Sequence, residues 1–202
     1  MISAFCLNEQ RPAYVSPTMK AIILPVLLSL ALACTLTAQT CREVVRDASG
    51  RLVQTIDRQK QAGGTVQATT RDASGRIIGT ATTNPNAGGS AQTNYRDASG
   101  RLTGTATTQP TAGASSRTTY RDASGRLVGS ADTRTGSGSA TNTQYRDASG
   151  RLTGSQTTNA SPSGSLTGTQ RDASGRLIGS STATGKCQGV TKVPVPPPAA
   201  KR

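Results

Sequence analysis

Several residue types on which enzymes depend are missing or rare in this chain. It contains no histidine, no tryptophan, one phenylalanine (Phe5) and two glutamates, Glu9 and Glu43. Histidine is the commonest switchable base and metal ligand, so its absence removes the usual materials of acid–base catalysis and of transition-metal sites. No base accompanies the serines of the repeated segment described below, which excludes the usual activated nucleophile. We therefore predict a protein that is not an enzyme and that has no cofactor and no metal site.

Large apolar side chains are also scarce. Of the 202 residues, 33% are hydrophobic and 2% are aromatic, whereas 22 are glycine. A chain of this composition buries little apolar surface to offset the entropy that is lost on ordering. Two alternatives follow: either the chain is disordered, or it consists of units that are stabilised by their neighbours and by backbone hydrogen bonds.

What the chain does have is a repeat. The string Arg-Asp-Ala-Ser-Gly-Arg occurs six times at intervals of 25 residues, beginning at Arg46, Arg71, Arg96, Arg121, Arg146 and Arg171. In the third copy, Asp97 to Arg101 suits a three-residue hairpin loop, in which a type I turn is followed by the left-handed residue Gly100. The flanking segments around that loop are rich in strand-forming residues. We predict an all-β fold in which residues 39–190 form an array of six 25-residue β-hairpin repeats, as an open meander sheet or a β-solenoid; a closed ring is a third arrangement that the sequence does not distinguish.

Strict alternation along these strands predicts two different faces. In the third copy one face would contain Tyr95, Asp97, Arg101 and Thr103, and the other Arg96, Leu102, Gly104 and Ala106. The glycine two residues after each Leu or Ile predicts the close approach of another backbone. Tyrosine occurs only in the three central copies, which favours a capping role for the copies at the ends of the array.

The repeated string resembles the YD repeats of Rhs-type proteins, whose core pattern is Tyr-Asp-x-x-Gly-Arg-Leu. Asp97-Ala98-Ser99-Gly100-Arg101-Leu102 matches the second half of that pattern. Two differences are that Arg96 stands between Tyr95 and the aspartate, and that the period is longer than is usual in that family. The resemblance implies repeated hairpins that build a β-sheet shell, in some members exposed for binding carbohydrates or partners.

The N-terminal region has the layout of a secretory signal peptide. Lys20 precedes an apolar run, Ala21 to Cys34, that small residues follow and that is too short for a comfortable membrane span. We therefore predict that residues 1–18 are a non-native upstream extension and that residues 19–38 are the signal peptide. The mature protein would be exported to the periplasm, the outer-membrane surface or the extracellular space, with no transmembrane anchor. Retention of the run as an anchor is the alternative. Cleavage after Ala38 would leave a soluble chain, whereas cleavage after Ala33 would leave Cys34 as a lipidation site, because the preceding residues loosely resemble a bacterial lipoprotein box.

Two cysteines, Cys41 and Cys187, bracket the array. In an oxidising compartment they would form either a disulfide or a pair of unpaired or intermolecular thiols. An intramolecular bridge would bring the first and last strands to within about 7 Å between Cα atoms, which excludes a straight open rod. Residues 191–202 form a proline-rich tail that we expect to be disordered.

The net charge of +13 is distributed along the array, because each string contains two arginines and one aspartate. Charge distributed in this way either favours weak multivalent contact with polyanions or only keeps the protein soluble. We predict an exported bacterial repeat protein with a non-enzymatic structural or binding role, which presents rows of Arg, Asp, Tyr and Thr to an envelope polyanion or glycan. Nucleic acid is disfavoured by the export signal and by the small number of tyrosines. The alternatives are a self-assembling cross-β subunit and a disordered cationic lipoprotein spacer. The candidate ligand-binding residues are Tyr95, Arg96, Arg101, Tyr120, Arg121, Arg126, Tyr145, Arg146 and Arg151.

Overall fold

A computed structural model of the chain describes residues 39–136 and 140–187. The segment 1–18, the predicted signal peptide at 19–38 with Cys34, and the tail at 191–202 lie outside the described residues. Each copy of the repeat forms one antiparallel hairpin, so the predicted all-β fold and its hairpins are confirmed. The strands are β1 (Gln39–Asp47), β2 (Leu52–Lys60), β3 (Val66–Asp72), β4 (Ile77–Pro85), β5 (Ala91–Asp97), β6 (Leu102–Thr111), β7 (Ser115–Asp122), β8 (Leu127–Thr135), β9 (Ala140–Asp147), β10 (Leu152–Ala160), β11 (Leu166–Asp172) and β12 (Leu177–Gly185). Single 3₁₀ turns at Ala62–Gly64 and Ala87–Gly89 lie in two of the connections between hairpins.

The twelve strands form a closed barrel. Each strand pairs with its neighbours in sequence, and β1 also pairs with β12 over a register from Cys41↔Gly185 to Asp47↔Gly179. The prediction of an open meander sheet or a solenoid is therefore wrong, and the ring is the arrangement adopted. The first and last copies are neighbours in this ring, so they do not cap an array as the distribution of tyrosine suggested.

A constant offset between successive hairpins explains the closure. Asp72, at the tip of the second hairpin, pairs with Gln54, two residues beyond the start of β2. Gly79↔Asp97 repeats this relation for the next pair of hairpins, and Gly179↔Asp47 repeats it across the seam between β12 and β1. An equal stagger at every step tilts the strands uniformly, as closure of a barrel requires. The six turns consequently lie at the same end of the barrel and at the same height.

A β-bulge after each turn changes the faces that alternation predicted. In the third copy Arg96 pairs with Leu102 and Tyr95 pairs with Gly104, which leaves Thr103 without a partner in that ladder. The extra residue brings Tyr95 to the same side as Gly104 and Ala106, which face the interior. The expected grouping of Leu102 with the glycine and alanine is therefore wrong: Leu102 lies outside.

The close backbone approach predicted at the repeated glycines is confirmed. A Cβ atom added to Gly104 would lie 2.5 Å from the carbonyl oxygen of Arg121 in the next hairpin. Gly129 and Gly154 stand in the same relation to Arg146 and Arg171. A side chain at these positions would therefore force neighbouring strands apart.

Small and hydroxylated side chains fill much of the interior. Ala68, Ala81 and Ala106 are buried, and the buried hydroxyls of Thr83 and Thr93 lie 2.7 Å apart within hydrogen-bonding distance. The same cross-strand threonine pair recurs at 108/118 and 133/143. Twelve strands enclose a wider lumen than the eight that side chains alone can fill, so space remains inside.

A disulfide joins the two ends of the barrel. Cys41 in β1 and Cys187, just after β12, are bonded, with their Cα atoms 4.8 Å apart and both residues buried. The bond lies beside the β1–β12 ladder and links residues that are 146 positions apart. It therefore fastens the seam at which the chain closes on itself.

Candidate functional site

The repeated string builds a tight turn that is held by hydrogen bonds among its own residues. In the first copy, Gly50 has a φ of 83° and donates its amide to the carbonyl of Asp47, and the Asp47 amide donates to the Arg51 carbonyl. The Asp47 carboxylate in turn accepts hydrogen bonds from the amides of Ser49 and Arg51 and from the Ser49 hydroxyl. The Arg46 guanidinium donates to the Gly50 carbonyl at 2.9 Å. This is the predicted type I turn with a left-handed glycine. The contacts explain why Arg46, Asp47, Ser49 and Gly50 recur in every copy, whereas the side chain of the second arginine, Arg51, takes no part in them.

These hydrogen bonds also hold the turn carboxylates in their charged form. The serine hydroxyl is the largest cause, and the turn amides add to it, so that the pKa lies below its usual value at Asp47, Asp72, Asp122, Asp147 and Asp172. The single negative charge of each turn is thus committed to the turn itself. The two arginines of the string leave every turn with a net positive charge.

Closure of the barrel gathers these charges at one end. We call the twelve arginines of the six strings the arginine crown; they are Arg46, Arg51, Arg71, Arg76, Arg96, Arg101, Arg121, Arg126, Arg146, Arg151, Arg171 and Arg176. With the six turn aspartates, this end has a net charge of +6. The five segments that connect successive hairpins, 61–65, 86–90, 112–114, 136–139 and 161–165, contain no ionisable residue. Charge that is evenly spaced along the sequence is therefore concentrated on one face of the folded protein.

The two arginines of each string differ in their freedom. The first donates to the carbonyl of its own turn glycine in all six copies, at 2.8–3.2 Å. The second is exposed in all six copies. Among the second arginines, Arg76 lies 3.6 Å from Asp72 of its own turn. On the outer wall, Arg117 contacts both carboxylate oxygens of Asp132, at 2.7 and 3.2 Å, and Arg42 lies 3.1 Å from Asp57. The second arginines of the crown are thus the better candidates for binding an external anion.

Exposed aliphatic side chains lie at the same end. Among the described residues, the large hydrophobic side chains that are exposed all occupy the two positions after a turn, with exposed fractions of 37–46%. We call this set the aliphatic ring; it consists of Val53, Ile77, Ile78, Leu102, Leu127, Val128, Leu177 and Ile178. The second of the two positions is the bulged residue, and in the third and fifth copies it is threonine, Thr103 and Thr153. The turn end of the barrel is therefore both cationic and apolar.

The three tyrosines point into the barrel and not onto the arginine surface. Tyr120 is 3% exposed, and Tyr95 and Tyr145 pack against it and against neighbouring alanines. The Tyr145 hydroxyl donates to Gln156 Oε1 at 2.9 Å. Burial raises the pKa of Tyr145 to about 12, with the charge of Glu43 acting in the same direction, and burial raises the pKa of Tyr95 and of Tyr120 well above the usual value. All three phenols are therefore neutral at physiological pH.

The lumen also contains a buried ion pair and a cavity. Arg58 and Glu43 are 3% and 8% exposed, and Arg58 Nη1 lies 2.7 Å from Glu43 Oε2. A cavity of about 570 Å³ is bordered by Arg58, Tyr95 and Tyr145 in the interior and by Val53 and Ile78 at the aliphatic ring. The cavity therefore reaches the turn end of the barrel. The ion pair balances its own charge, so the lumen does not add to the positive charge of the crown.

The structure thus divides the candidate residues of the sequence into two groups. The six arginines that were named lie at the turn end, on three adjacent hairpins, while the three tyrosines lie inside. The six equivalent arginines of the other copies were not among the predicted binding residues, because the copies without tyrosine were interpreted as caps. The identical string in all six copies was the signal that could have found them. The aliphatic ring was not predicted either. It depends on the bulge at position 103, which places Leu102 outside, and the residue type at that position varies between copies and so does not indicate a bulge.

The chain was compared with protein-family models and with curated protein sequences. No protein-family model matches the chain, and no curated protein matches its sequence. In residues 39–136 and 140–187 there is no group of three or more potential metal-ligating side chains, and no helix there is long and apolar enough to cross a membrane.

Proposed function

We propose that this is an exported bacterial protein with a non-enzymatic binding role at the cell envelope or outside the cell, and that it binds a polyanion through the arginine crown. The observation on which this proposal depends is the position of the crown. Twelve arginines lie at one end of the barrel, whereas the connections between hairpins contain no charged residue. Export is inferred from the sequence of residues 19–38 alone.

The crown suits a repetitive anionic ligand better than a single anion. Each turn presents the same exposed second arginine, and the equal offset between hairpins repeats this group at regular intervals around the end of the barrel. Weak contacts of this kind add together when one ligand spans several turns. Binding of this kind is also steeply dependent on salt, because exposed charges are screened over about 8 Å at physiological ionic strength.

A cross-β polymer is less well supported by the geometry. Such polymers grow at unpaired strand edges. Here every described strand has two partners, because β1 pairs with β12. Polymer growth would first require one of the twelve ladders to open, so we propose binding as the function and not self-assembly. The twelve strands likewise give no support to a disordered spacer.

The test is binding to inorganic polyphosphate, measured by calorimetry over a range of salt concentrations. Replacement of three second arginines, Arg101→Gln, Arg126→Gln and Arg151→Gln, should weaken binding by about tenfold and reduce its salt dependence. The matched control is the triple variant Arg42→Gln, Arg117→Gln and Arg134→Gln, which also removes three arginine charges but on the outer wall of the barrel. Binding that does not change with salt, or that is weakened as much by the control, would remove the electrostatic account.

A further inference from the structure

The aliphatic ring is unexplained by a soluble polyanion. Its eight side chains are 37–46% exposed and lie directly after the cationic turns. Exposed apolar residues that are gathered in one place usually mark a surface that contacts a partner or a membrane. An inorganic or sugar polyanion offers them no apolar group to contact, so the ligand of this end must have an apolar part as well as negative charge.

We propose that the turn end of the barrel binds the surface of an anionic lipid layer, with the arginine crown on the lipid phosphates and the aliphatic ring in the boundary region below them. The inference rests on the proposed function and names the polyanion as an anionic lipid. Positive side chains attract a protein to an anionic lipid surface, and aliphatic side chains inserted at the headgroup boundary hold it there. Two such contributions together give stable attachment where one alone is marginal.

The geometry fits a flat partner. The six turns lie at one height because the offset between hairpins is constant, from Gln54↔Asp72 through Gly179↔Asp47. A lipid surface can therefore contact all six turns at once. At the opposite end the connections contain no ionisable residue and the adjacent basic residues are Lys60, Arg134 and Lys186, fewer than the twelve arginines of the crown, so the barrel should stand on the lipid with its turn end down.

The chain itself supplies the substitution that tests the apolar contribution. Thr103 and Thr153 occupy the bulged position in two copies, so threonine is compatible with the bulge. The fourfold variant Val53→Thr, Ile78→Thr, Val128→Thr and Ile178→Thr makes all six copies alike at this position. It leaves every crown arginine and every turn unchanged.

The experiment measures co-sedimentation of the full chain with vesicles of phosphatidylcholine and phosphatidylglycerol at three to one, alongside binding of inorganic polyphosphate. The fourfold variant should bind these vesicles at least about tenfold more weakly than the parent and should bind polyphosphate equally well. The apolar run at Ala21 to Cys34 is identical in both proteins, and vesicles of phosphatidylcholine alone report its contribution. Equal vesicle binding by the two proteins would overturn the lipid inference and leave the proposed function standing. If the parent protein binds neither the vesicles nor polyphosphate, both the lipid inference and the proposed function are overturned.

A fluorescent reporter distinguishes the turn end from the rest of the chain. The chain contains no tryptophan, so a single introduced tryptophan is the only one present. Thr103→Trp places it at the bulge, and Ala87→Trp places it in an exposed connection between hairpins. Anionic vesicles should shift the emission of Thr103→Trp to shorter wavelength and leave that of Ala87→Trp unchanged. A shift in Ala87→Trp alone, or in neither variant, would contradict docking through the turn end.

Discussion

Closure of the barrel at the β1–β12 seam predicts a large stabilising effect of the disulfide. Cys41 and Cys187 are the two ends of the folded array, and the bond between them closes a loop in the unfolded chain that includes nearly the whole barrel. The perturbation is removal of this bond, either by reduction or by the double variant Cys41→Ala and Cys187→Ala. The strand pairing across the seam is left intact in both cases.

The expected magnitude follows from the length of the loop. The two cysteines are 146 residues apart, and a cross-link over that distance lowers the entropy of the unfolded chain by an amount worth about 5 kcal/mol at 25 °C. Single domains are stable by about 5–15 kcal/mol in total, so the loss is a large fraction of the whole. Because Cys187 is fully buried, its replacement by alanine should add a small packing cost of about 1 kcal/mol that reduction does not.

The assay is urea unfolding followed by circular dichroism, in a background with Cys6→Ser and Cys34→Ser so that only the seam cysteines remain. The oxidised protein should unfold at a much higher urea concentration than the same protein in reductant, and the free energy of unfolding should differ by about 3–5 kcal/mol. The Cys41→Ala/Cys187→Ala variant serves as control, since reductant should not change its unfolding. Identical unfolding of the oxidised and reduced protein would refute the argument, because a bond that spans the seam cannot leave the unfolded chain unconstrained.

Three further predictions concern the wall, the lumen and the turns. Gly104→Ala should lower the free energy of unfolding by about 1–3 kcal/mol, because the new Cβ would clash with the Arg121 carbonyl oxygen. In the same urea assay the control Gly136→Ala, whose Cβ would have its nearest atom 3.7 Å away, should change the free energy of unfolding by less than about 0.5 kcal/mol, and equal losses would contradict the close approach. Thr93→Val should lower the free energy of unfolding by about 1–3 kcal/mol, because it leaves the buried Thr83 hydroxyl without its partner. In a double-mutant cycle, Thr83→Val/Thr93→Val should lower it by less than the sum of the two single changes. Turn hydrogen bonds lower the pKa of five turn aspartates (Asp47, Asp72, Asp122, Asp147 and Asp172), so their stabilising contribution is complete above the ordinary pKa of 3.8 and is lost as the pH falls through the lower folded value. The urea midpoint should therefore be constant from pH 7 to 5 and fall below about pH 4, and a midpoint that stays constant down to pH 2 would argue against it.

The turn could be predicted from sequence because its determinants are local. Asp97, Ser99, Gly100 and Arg101 satisfy one another within five residues, and no distant contact is needed to fix the backbone. The bulge could not be predicted, because the bulged residue is Val, Ile or Thr in different copies and is defined only by the pairing Tyr95↔Gly104 across the hairpin. One undetected residue was enough to reverse the assignment of every tyrosine from the surface to the lumen.

Closure was beyond sequence reasoning for a different reason. A 25-residue period fixes the relation between one hairpin and the next, but the same relation is compatible with an open sheet that continues indefinitely. Whether six hairpins meet depends on the accumulated stagger and tilt, which are properties of the whole sheet. The position of Cys41 and Cys187 at the two ends was the only sequence feature that bore on this question, and it left the redox state open.

The pattern of conservation between copies reflects two kinds of constraint. The turn string is identical in all six copies because each turn must satisfy its own hydrogen bonds, whatever its place in the ring. Inward-facing positions differ between copies because they share one lumen: Tyr145 lies in the field of Glu43, and Tyr95 in that of Arg58, which are contributed by the first copy. Tyr95 and Tyr145 of the central copies and Arg58 of the first copy therefore border the same cavity inside the ring. Positions on the outer wall also differ between copies, as the single pairs Arg117–Asp132 and Arg42–Asp57 show, but the turn string does not, so the six turns present the same arginines whatever the rest of each copy contains.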